Sequence, residues 1–148
     1  MRFVKWLASR SRRAALCCAA LGCVFSLGSL RAQVIIANAA VKAVEINKAD
    51  VADIFTGSSN SFSDGSRAVP ATLKGGAVHE DFLKRFIGKK DLLFRGDWRV
   101  LVFSGKAAMP KAFATEEELV QYVASVPGAI GYVGVLPHNP QVKCLHVR

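Results

Sequence analysis

Apolar residues recur along this chain in two different patterns, and each pattern predicts one kind of secondary structure. The runs 34–37 and 129–133 are continuously apolar, as is typical of strands buried on both faces of a sheet. Looser patterns predict two further strands over 67–73 and 142–147. Apolar stripes at helical spacing predict four helices. The first ends at Phe55, and the other three cover 78–87, 91–103 and 115–126. The sequence therefore predicts an α/β fold in which helices flank a small mixed β-sheet.

Glycine, proline and capping residues predict where these elements end. Gly57 closes the first helix in the left-handed conformation that glycine adopts readily, and Pro127-Gly128 stops the last helix. Thr115 to Glu118 form a capping box, in which Thr115 caps the amide of Glu118 and the glutamate side chain reaches back. The third helix is predicted either to continue through Gly96 or to break there, and a loop follows over 104–112.

The first 32 residues differ in composition from the rest of the chain. Residues 1–13 carry basic side chains and no acid, and 14–30 carry no charge at all. A basic start, an apolar stretch and a small residue at Ala32 predict a secretory signal peptide cleaved after Ala32, and hence a periplasmic protein. An uncleaved membrane anchor is the alternative, although Ala, Cys, Gly and Ser dilute the apolar stretch. The sequence leaves the export route open, whether general secretory or twin-arginine.

Removing the predicted signal changes the charge and the cysteine count. The whole chain has a net charge of +9, whereas residues 33–148 contain 14 Lys and Arg against 11 Asp and Glu, a balance of +3. This composition indicates a mildly basic domain rather than a nucleic-acid-binding one. Cys144 is the one cysteine beyond residue 32, so the sequence predicts no intramolecular disulfide. We expect Cys144 to be a buried, small apolar residue of the last strand.

The sequence contains none of the common catalytic motifs. There is no nucleophile elbow, no paired histidine at helical spacing and no phosphate-cradling Gly-Lys-Ser loop. His79, His138 and His146 are far apart, and we expect surface or packing roles for them. Glu116 to Glu118 resemble a carboxylate pair, but negative charge is also favourable in the first turn of a helix. We therefore predict no enzyme activity, no metal site and no cofactor.

One turn has a positive functional interpretation. Gly75, Gly76 and Ala77 precede a predicted helix, where backbone N–H groups lack helical partners and converge on a point suited to an anion. Lys74 and Arg67 are basic residues that could assist. The alternative is a glycine-containing turn between strand and helix that binds nothing, because every such junction leaves free amides.

A series of short motifs, in order, resembles the periplasmic substrate-binding proteins of phosphate uptake transporters, and especially short secreted proteins about one lobe long. Order and spacing agree over most of 34–148. The matching segments are 49–57, Phe62-Ser63-Asp64-Gly65, Val69-Pro70, Asp81-Phe82, Trp98, Phe103-Ser104-Gly105 and 127–133.

The resemblance implies a type 2 periplasmic-binding-protein-like fold, in which two α/β lobes close on an anion held by helix N-terminal amides and hydroxyls. This chain has length for a single lobe. Where the family places Ser, Thr and Arg at the anion-binding helix start, this chain has Gly75, Gly76, Ala77, Val78 and His79. The resemblance therefore supports the fold more strongly than the ligand.

Two hypotheses for function follow. In the first, the protein is a secreted, non-enzymatic relative of phosphate-binding proteins that assists uptake by a transporter. It would bind an anion such as phosphate weakly, through amides and side chains of Gly75, Gly76, Ala77, Val78, Ser58, Ser59, Arg67 and Ser104. In the second, the single lobe has lost its ligand and serves as a protein-interaction module, with a homodimer as one version. An enzyme would require a catalytic set that these residues do not supply.

Overall fold

The computed structural model describes residues 33–148, whose strands form one mixed six-stranded sheet in the order β2-β6-β1-β5-β3-β4. The predicted signal peptide and its cleavage site lie outside these residues. The elements in chain order are β1 (Val34–Asn38), β2 (Glu45–Ile46), α1 (Lys48–Thr56), β3 (Val69–Leu73), α2 (Ala77–Phe82) continued by a π-helical turn (Leu83–Ile87), α3 (Asp91–Phe103), β4 (Lys111–Phe113), α4 (Glu116–Ser125), β5 (Ala129–Val133) and β6 (Val142–Val147).

The strand directions divide the sheet into two parts. β1 is antiparallel to both of its neighbours, β5 and β6, whereas β3 is parallel to β5 and to β4. The carboxyl ends of β3, β4 and β5 therefore meet at one edge of the sheet, which we call the carboxyl edge. Their first residues meet at the opposite, amino edge. Ligands of open α/β sheets bind most often beyond the carboxyl ends of the strands.

Helices cover both faces of this sheet. Because successive strand residues point to opposite faces, Gly131 and Tyr132 of β5 face different helices. A Cβ placed on Gly131 would lie 2.6 Å from Leu119 of α4. The Tyr132 ring instead stacks on Phe82 of α2, with ring centroids 3.8 Å apart, and meets Phe55 of α1 edge-on at 5.7 Å. This two-sided cover explains why all five residues of β5 are buried.

The segment Ile54 to Gly57 anchors α1 on α3. Gly57 has φ of 76°, and its N–H donates to the Ile54 carbonyl, which closes α1. A Cβ at Gly57 would lie 2.8 Å from Leu101 and 3.0 Å from Trp98, so glycine permits this close approach. Trp98 Nε1 donates to the Phe55 carbonyl at 2.9 Å. The C-terminal end of α1 is therefore held at a defined position against α3.

Gly128 plays a similar part before β5. Its φ is 79°, and a Cβ there would lie 2.4 Å from the carbonyl oxygen of Arg67. The Gly128 carbonyl accepts a hydrogen bond from Val69 N at 2.9 Å. This contact fixes the backbone of Arg67 at the amino edge of the sheet.

The predicted α/β fold, with helices flanking a small mixed sheet, is confirmed. The capping box is confirmed in part: Thr115 Oγ1 accepts from Glu118 N, but the Glu118 carboxylate accepts from Ala114 N, one residue further out. A break at Gly96 is wrong, because the buried residues Phe94 and Trp98 on either side hold α3 continuous.

Three further expectations need correction. The loop predicted over 104–112 ends early, since Lys111 already pairs with Ala71 as the first residue of β4. The predicted strand over 67–73 begins at Val69. Cys144 is half-buried rather than buried, and its partial burial raises the pKa of the thiol. No helix within 33–148 is long and apolar enough to cross a bilayer.

Candidate functional site

The residues predicted to form one anion site lie at two opposite edges of the sheet. The turn Gly75–Val78 follows β3 at the carboxyl edge, whereas Ser58, Ser59 and Arg67 precede β3 at the amino edge. The five residues of β3 separate the two groups by on the order of 15 Å. Ser104 follows α3, is exposed, and donates to the Leu101 carbonyl at 3.0 Å. These residues therefore do not surround a single small ligand.

The turn at the carboxyl edge presents free backbone amides. Within residues 33–148, no group accepts a hydrogen bond from the N–H groups of Gly75, Gly76, Ala77 or Val78. Negative charge also lies close by, because the Glu116 carboxylate accepts from Gly134 N at 2.7 Å beside the Val78 side chain. The amides favour an anion at this turn, and the carboxylate opposes one.

A chain of buried polar groups lies just behind the turn. Tyr132 Oη accepts from Leu73 N at 3.0 Å, so its own proton is available to His79 Nδ1, 2.5 Å away. His79 Nε2 then donates to Asp91 Oδ1 at 2.9 Å. Both rings are buried, and both ring nitrogens of His79 have a hydrogen-bond partner. The buried polar atoms of Tyr132 and His79 therefore all have hydrogen-bond partners.

Arg95 completes this chain and connects it to the turn. Its Nε donates to both carboxylate oxygens of Asp91, at 2.9 and 2.7 Å, and its Nη2 donates to the Lys74 carbonyl at 2.7 Å. Partial burial opposes ionisation of Asp91, but the hydrogen bonds from Arg95 and His79 outweigh it and hold the pKa of Asp91 below its usual value. Burial raises the pKa of Tyr132. These groups tie α3 to β3 and to β5.

The lowered pKa of Asp91 gives a pH prediction. The carboxylate contributes stability that is complete above the unfolded-state pKa of about 3.9 and is lost as the pH falls through the lower folded-state pKa. Asp91→Asn is therefore expected to lower the free energy of unfolding at pH 7 and to differ progressively less from wild type below about pH 4. Urea unfolding across pH measures this. The control is Asp53→Asn, because exposed Asp53 forms no ion pair within the described chain. If the difference in free energy of unfolding between wild type and Asp91→Asn stays constant with pH, the lowered pKa of Asp91 is contradicted.

At the amino edge, the predicted residues line a cleft of about 640 Å³, which we call the basic cleft. This volume is within the range of small-molecule sites. Its polar lining residues are Ser58, Ser59, Asn60, Arg67, Lys106 and Lys111, and its larger apolar ones include Trp98, Met109, Pro110 and Tyr122. Arg67, Lys106 and Lys111 form no ion pair with any residue from 33 to 148.

Local structure explains how Arg67 reaches this cleft. Ser61 and Arg67 face each other across an isolated antiparallel bridge, and Phe62 N donates to the Ser66 carbonyl at 2.8 Å. Asp64 accepts from the hydroxyl and amide of Ser66, which lowers the pKa of its carboxyl. Because Phe62 is buried, this turn is fixed to the core and holds the arginine at the cleft wall.

Lys111 is held by aromatic rings on the other side of the cleft. Its Nζ lies 5.2 Å from the centre of the Tyr122 ring and 5.7 Å from that of Phe113, within cation–π range. We did not predict Lys111 as a site residue, because it stands 44 positions after Arg67 and no motif joins the two. Because the two rings already restrict the Lys111 side chain, it loses less conformational entropy when it binds an anion.

The chemistry available in the basic cleft is electrostatic capture. Three cations that form no ion pair among the described residues can donate hydrogen bonds to an oxyanion. The Ser59 hydroxyl donates to the Ser61 carbonyl at 3.1 Å and the Ser58 hydroxyl lies 3.1 Å from Thr56 Oγ1, so each has to rotate to reach a ligand. No group of three or more His, Cys, Asp or Glu within the described range is arranged to hold a metal ion.

Comparison with known proteins gives structural matches only. No protein-family model matches this chain, and no curated protein matches it. A provisionally assigned phosphate ABC transporter substrate-binding protein from Clostridium perfringens, solved with bound phosphate, matches with a TM-score of 0.58 and 14% identity over 78% of this chain and 44% of its own. A provisionally assigned phosphate-binding protein from Planctomyces limnophilus matches with a TM-score of 0.56 and 17% identity, over 78% and 41%.

An ABC-type phosphate transport receptor from Vibrio cholerae matches with a TM-score of 0.51 and 12% identity, over 78% of this chain and 45% of its own. This chain therefore spans less than half the length of each of these proteins. At such identities the likeness concerns the fold alone. The chain has a mixed α/β fold that matches the fold of phosphate-transporter substrate-binding proteins over part of their length.

Proposed function

We propose that this protein is a non-enzymatic, solute-binding-like protein that binds an inorganic anion, with phosphate as the first candidate, in the basic cleft. One observation carries the proposal: Arg67, Lys106 and Lys111 line the same cleft, and none of them forms an ion pair within residues 33–148. The structural match to phosphate-binding proteins is consistent with this proposal at the level of the fold.

The physical argument concerns repulsion and geometry. Positive charges held near one another in a partly enclosed cleft repel, and a bound anion relieves that repulsion. A guanidinium offers two parallel N–H donors that match two oxygens of a phosphate, and this is the role we propose for Arg67. The lysines act as point charges, and Ser58 and Ser59, which also line the cleft, can rotate their hydroxyls toward the anion.

Isothermal titration of the protein with phosphate and sulfate tests the proposal. We expect saturable binding, and we expect K106Q/K111Q to weaken it at least about tenfold, because two of the three cations are removed. The matched control is K42Q/K48Q, which removes the same charge from exposed residues outside the cleft. No binding by the wild type, or equal weakening by both double variants, would contradict the basic cleft as the site.

The turn Gly75–Val78 is a second candidate location for the same anion, favoured by its free amides. Ala77→Asp distinguishes the two locations, because a carboxylate at this exposed position competes for those amides. Loss of phosphate binding in Ala77→Asp together with normal binding in K106Q/K111Q would assign the anion to the turn. The reverse result would assign it to the basic cleft.

The second candidate function is a protein-interaction module, with a transporter component, another periplasmic protein or a second copy as partner. The observation that favours it is that several large apolar side chains of α3 are exposed. Sedimentation velocity tests the homodimer: a monomer at all concentrations excludes it. Fractionation of the producing cells with N-terminal sequencing tests periplasmic export and cleavage after Ala32.

A further inference from the structure

The outer face of α3 is strongly apolar although it is exposed. Its inner face buries Phe94 and Trp98 in the core. On the opposite side, Leu92 is 75% exposed, Val100 is 68% exposed and Phe103 is 88% exposed. Large side chains exposed to this degree along one element commonly mark an interaction surface.

These side chains form one continuous stripe. Leu92, Gly96, Val100 and Phe103 recur at intervals of four, four and three residues, which places them along one side of a helix, and Leu93 (60% exposed) lies next to them. The stripe runs for roughly 16 Å along the helix axis. We call these five residues the outer face of α3.

The sequence segment that contains this face is strongly basic. Residues 84–106 contain seven Lys and Arg against two Asp, a balance of +5, whereas the rest of 33–148 contains seven against nine, a balance of −2. Asp97 pairs with Lys89, and Asp91 pairs with Arg95. Lys84, Arg85, Lys90 and Arg99 are exposed and form no ion pair within the described chain.

We propose that the outer face of α3 docks on an anionic membrane surface, with Leu92, Leu93, Val100 and Phe103 entering the headgroup region and the surrounding Lys and Arg contacting anionic lipids. Apolar side chains on one side of a helix with basic residues at its borders are typical of helices that lie in the plane of a bilayer. This surface differs from the basic cleft, whose lining includes none of these four apolar residues.

Two features favour a bilayer over a protein surface. The apolar side chains project from a convex helix, and a fluid lipid surface accepts them without a matching recess. A second copy would bring two segments of charge +5 together, and like charges at an interface are unfavourable. Anionic lipids instead supply the opposite charge.

Flotation of the full chain with lipid vesicles tests this proposal. Vesicles of phosphatidylcholine with one quarter phosphatidylglycerol are compared with phosphatidylcholine alone, and we expect at least about tenfold tighter binding to the anionic vesicles, weakened by salt. L92S/F103S is expected to reduce that binding at least about fivefold, and K90Q/R99Q to reduce it on anionic vesicles alone.

The matched control is V135S/L136S, which removes two exposed apolar side chains outside α3, 70% and 52% exposed. Because both double variants change surface residues, circular dichroism should show an unchanged fold, and any effect of residues 1–32 on vesicle binding is common to all variants. The proposal is overturned if L92S/F103S binds as well as V135S/L136S does. It is also overturned if the wild type does not bind anionic vesicles. A dimer in sedimentation that L92S/F103S dissociates would then assign the outer face of α3 to self-association.

Discussion

Gly128→Ala is expected to lower the free energy of unfolding by about 3–5 kcal/mol, because two penalties coincide at this position. At φ of 79° an L-residue is strained, and the new Cβ would lie 2.4 Å from the backbone carbonyl oxygen of Arg67. A backbone atom cannot rotate out of the way as a side chain can, so the segment before β3 has to move. Urea unfolding followed by circular dichroism measures the loss.

Gly65→Ala separates the two penalties. Gly65 has nearly the same φ, 80°, but no heavy atom lies within 4 Å of a Cβ placed there. We expect this variant to lose only about 1–2 kcal/mol, the cost of the left-handed backbone. Gly128→Ala should in addition weaken phosphate binding, because it displaces Arg67 from the basic cleft. Equal losses of stability in the two variants would show that the close contact with the Arg67 carbonyl does not add to the cost of Gly128→Ala.

Tyr132→Phe is expected to lower the free energy of unfolding by about 2–4 kcal/mol, although it removes a single oxygen atom. That oxygen accepts from Leu73 N and lies 2.5 Å from His79 Nδ1, and both partners are buried. The substitution leaves a donor and an acceptor without partners in the core, where each unsatisfied group costs about 1–3 kcal/mol. The ring contact with Phe82 is retained, so the effect reports on the hydrogen bonds.

Tyr122→Phe is the matched control, since the chain contains two tyrosines and Tyr122 is half-buried. Its hydroxyl has no hydrogen-bond partner among the side chains and backbone of residues 33–148, and we expect a change below about 1 kcal/mol. Thermal unfolding of both variants gives the comparison. If Tyr132→Phe costs no more than Tyr122→Phe, the chain from Tyr132 through His79 to Asp91 does not stabilise the fold.

Local signals account for the parts of the fold that sequence reasoning predicted well. Gly57 ends α1 and Thr115 caps α4 through contacts within four residues, so neighbouring residues in the sequence were sufficient. β2 and β4 were missed because strands of two and three residues are too short to show a period. They exist because neighbouring strands supply hydrogen bonds, which no local pattern reveals.

The candidate site was harder to predict because its parts are far apart in the chain. Arg67 and Lys106 line the same cleft only because α3 packs on α1, and His79 contacts Tyr132, which lies 53 positions later. The direction of β3 also decides which residues share an edge. Residues that precede this strand lie at its amino end, so Ser58 and Arg67 cannot join the turn at Gly75–Val78.

The position of β1 has a consequence for how the chain reaches its folded state. The partners of this central strand are β5 and β6, the last two strands to be synthesised, so its hydrogen bonds span about a hundred residues. Contacts so distant in sequence slow folding, because a long loop must close, at a cost in conformational entropy, before the favourable contacts can form. The sheet cannot be completed before β6 has been synthesised. Until β5 and β6 have been synthesised, β1 therefore lacks both of its hydrogen-bonded neighbours.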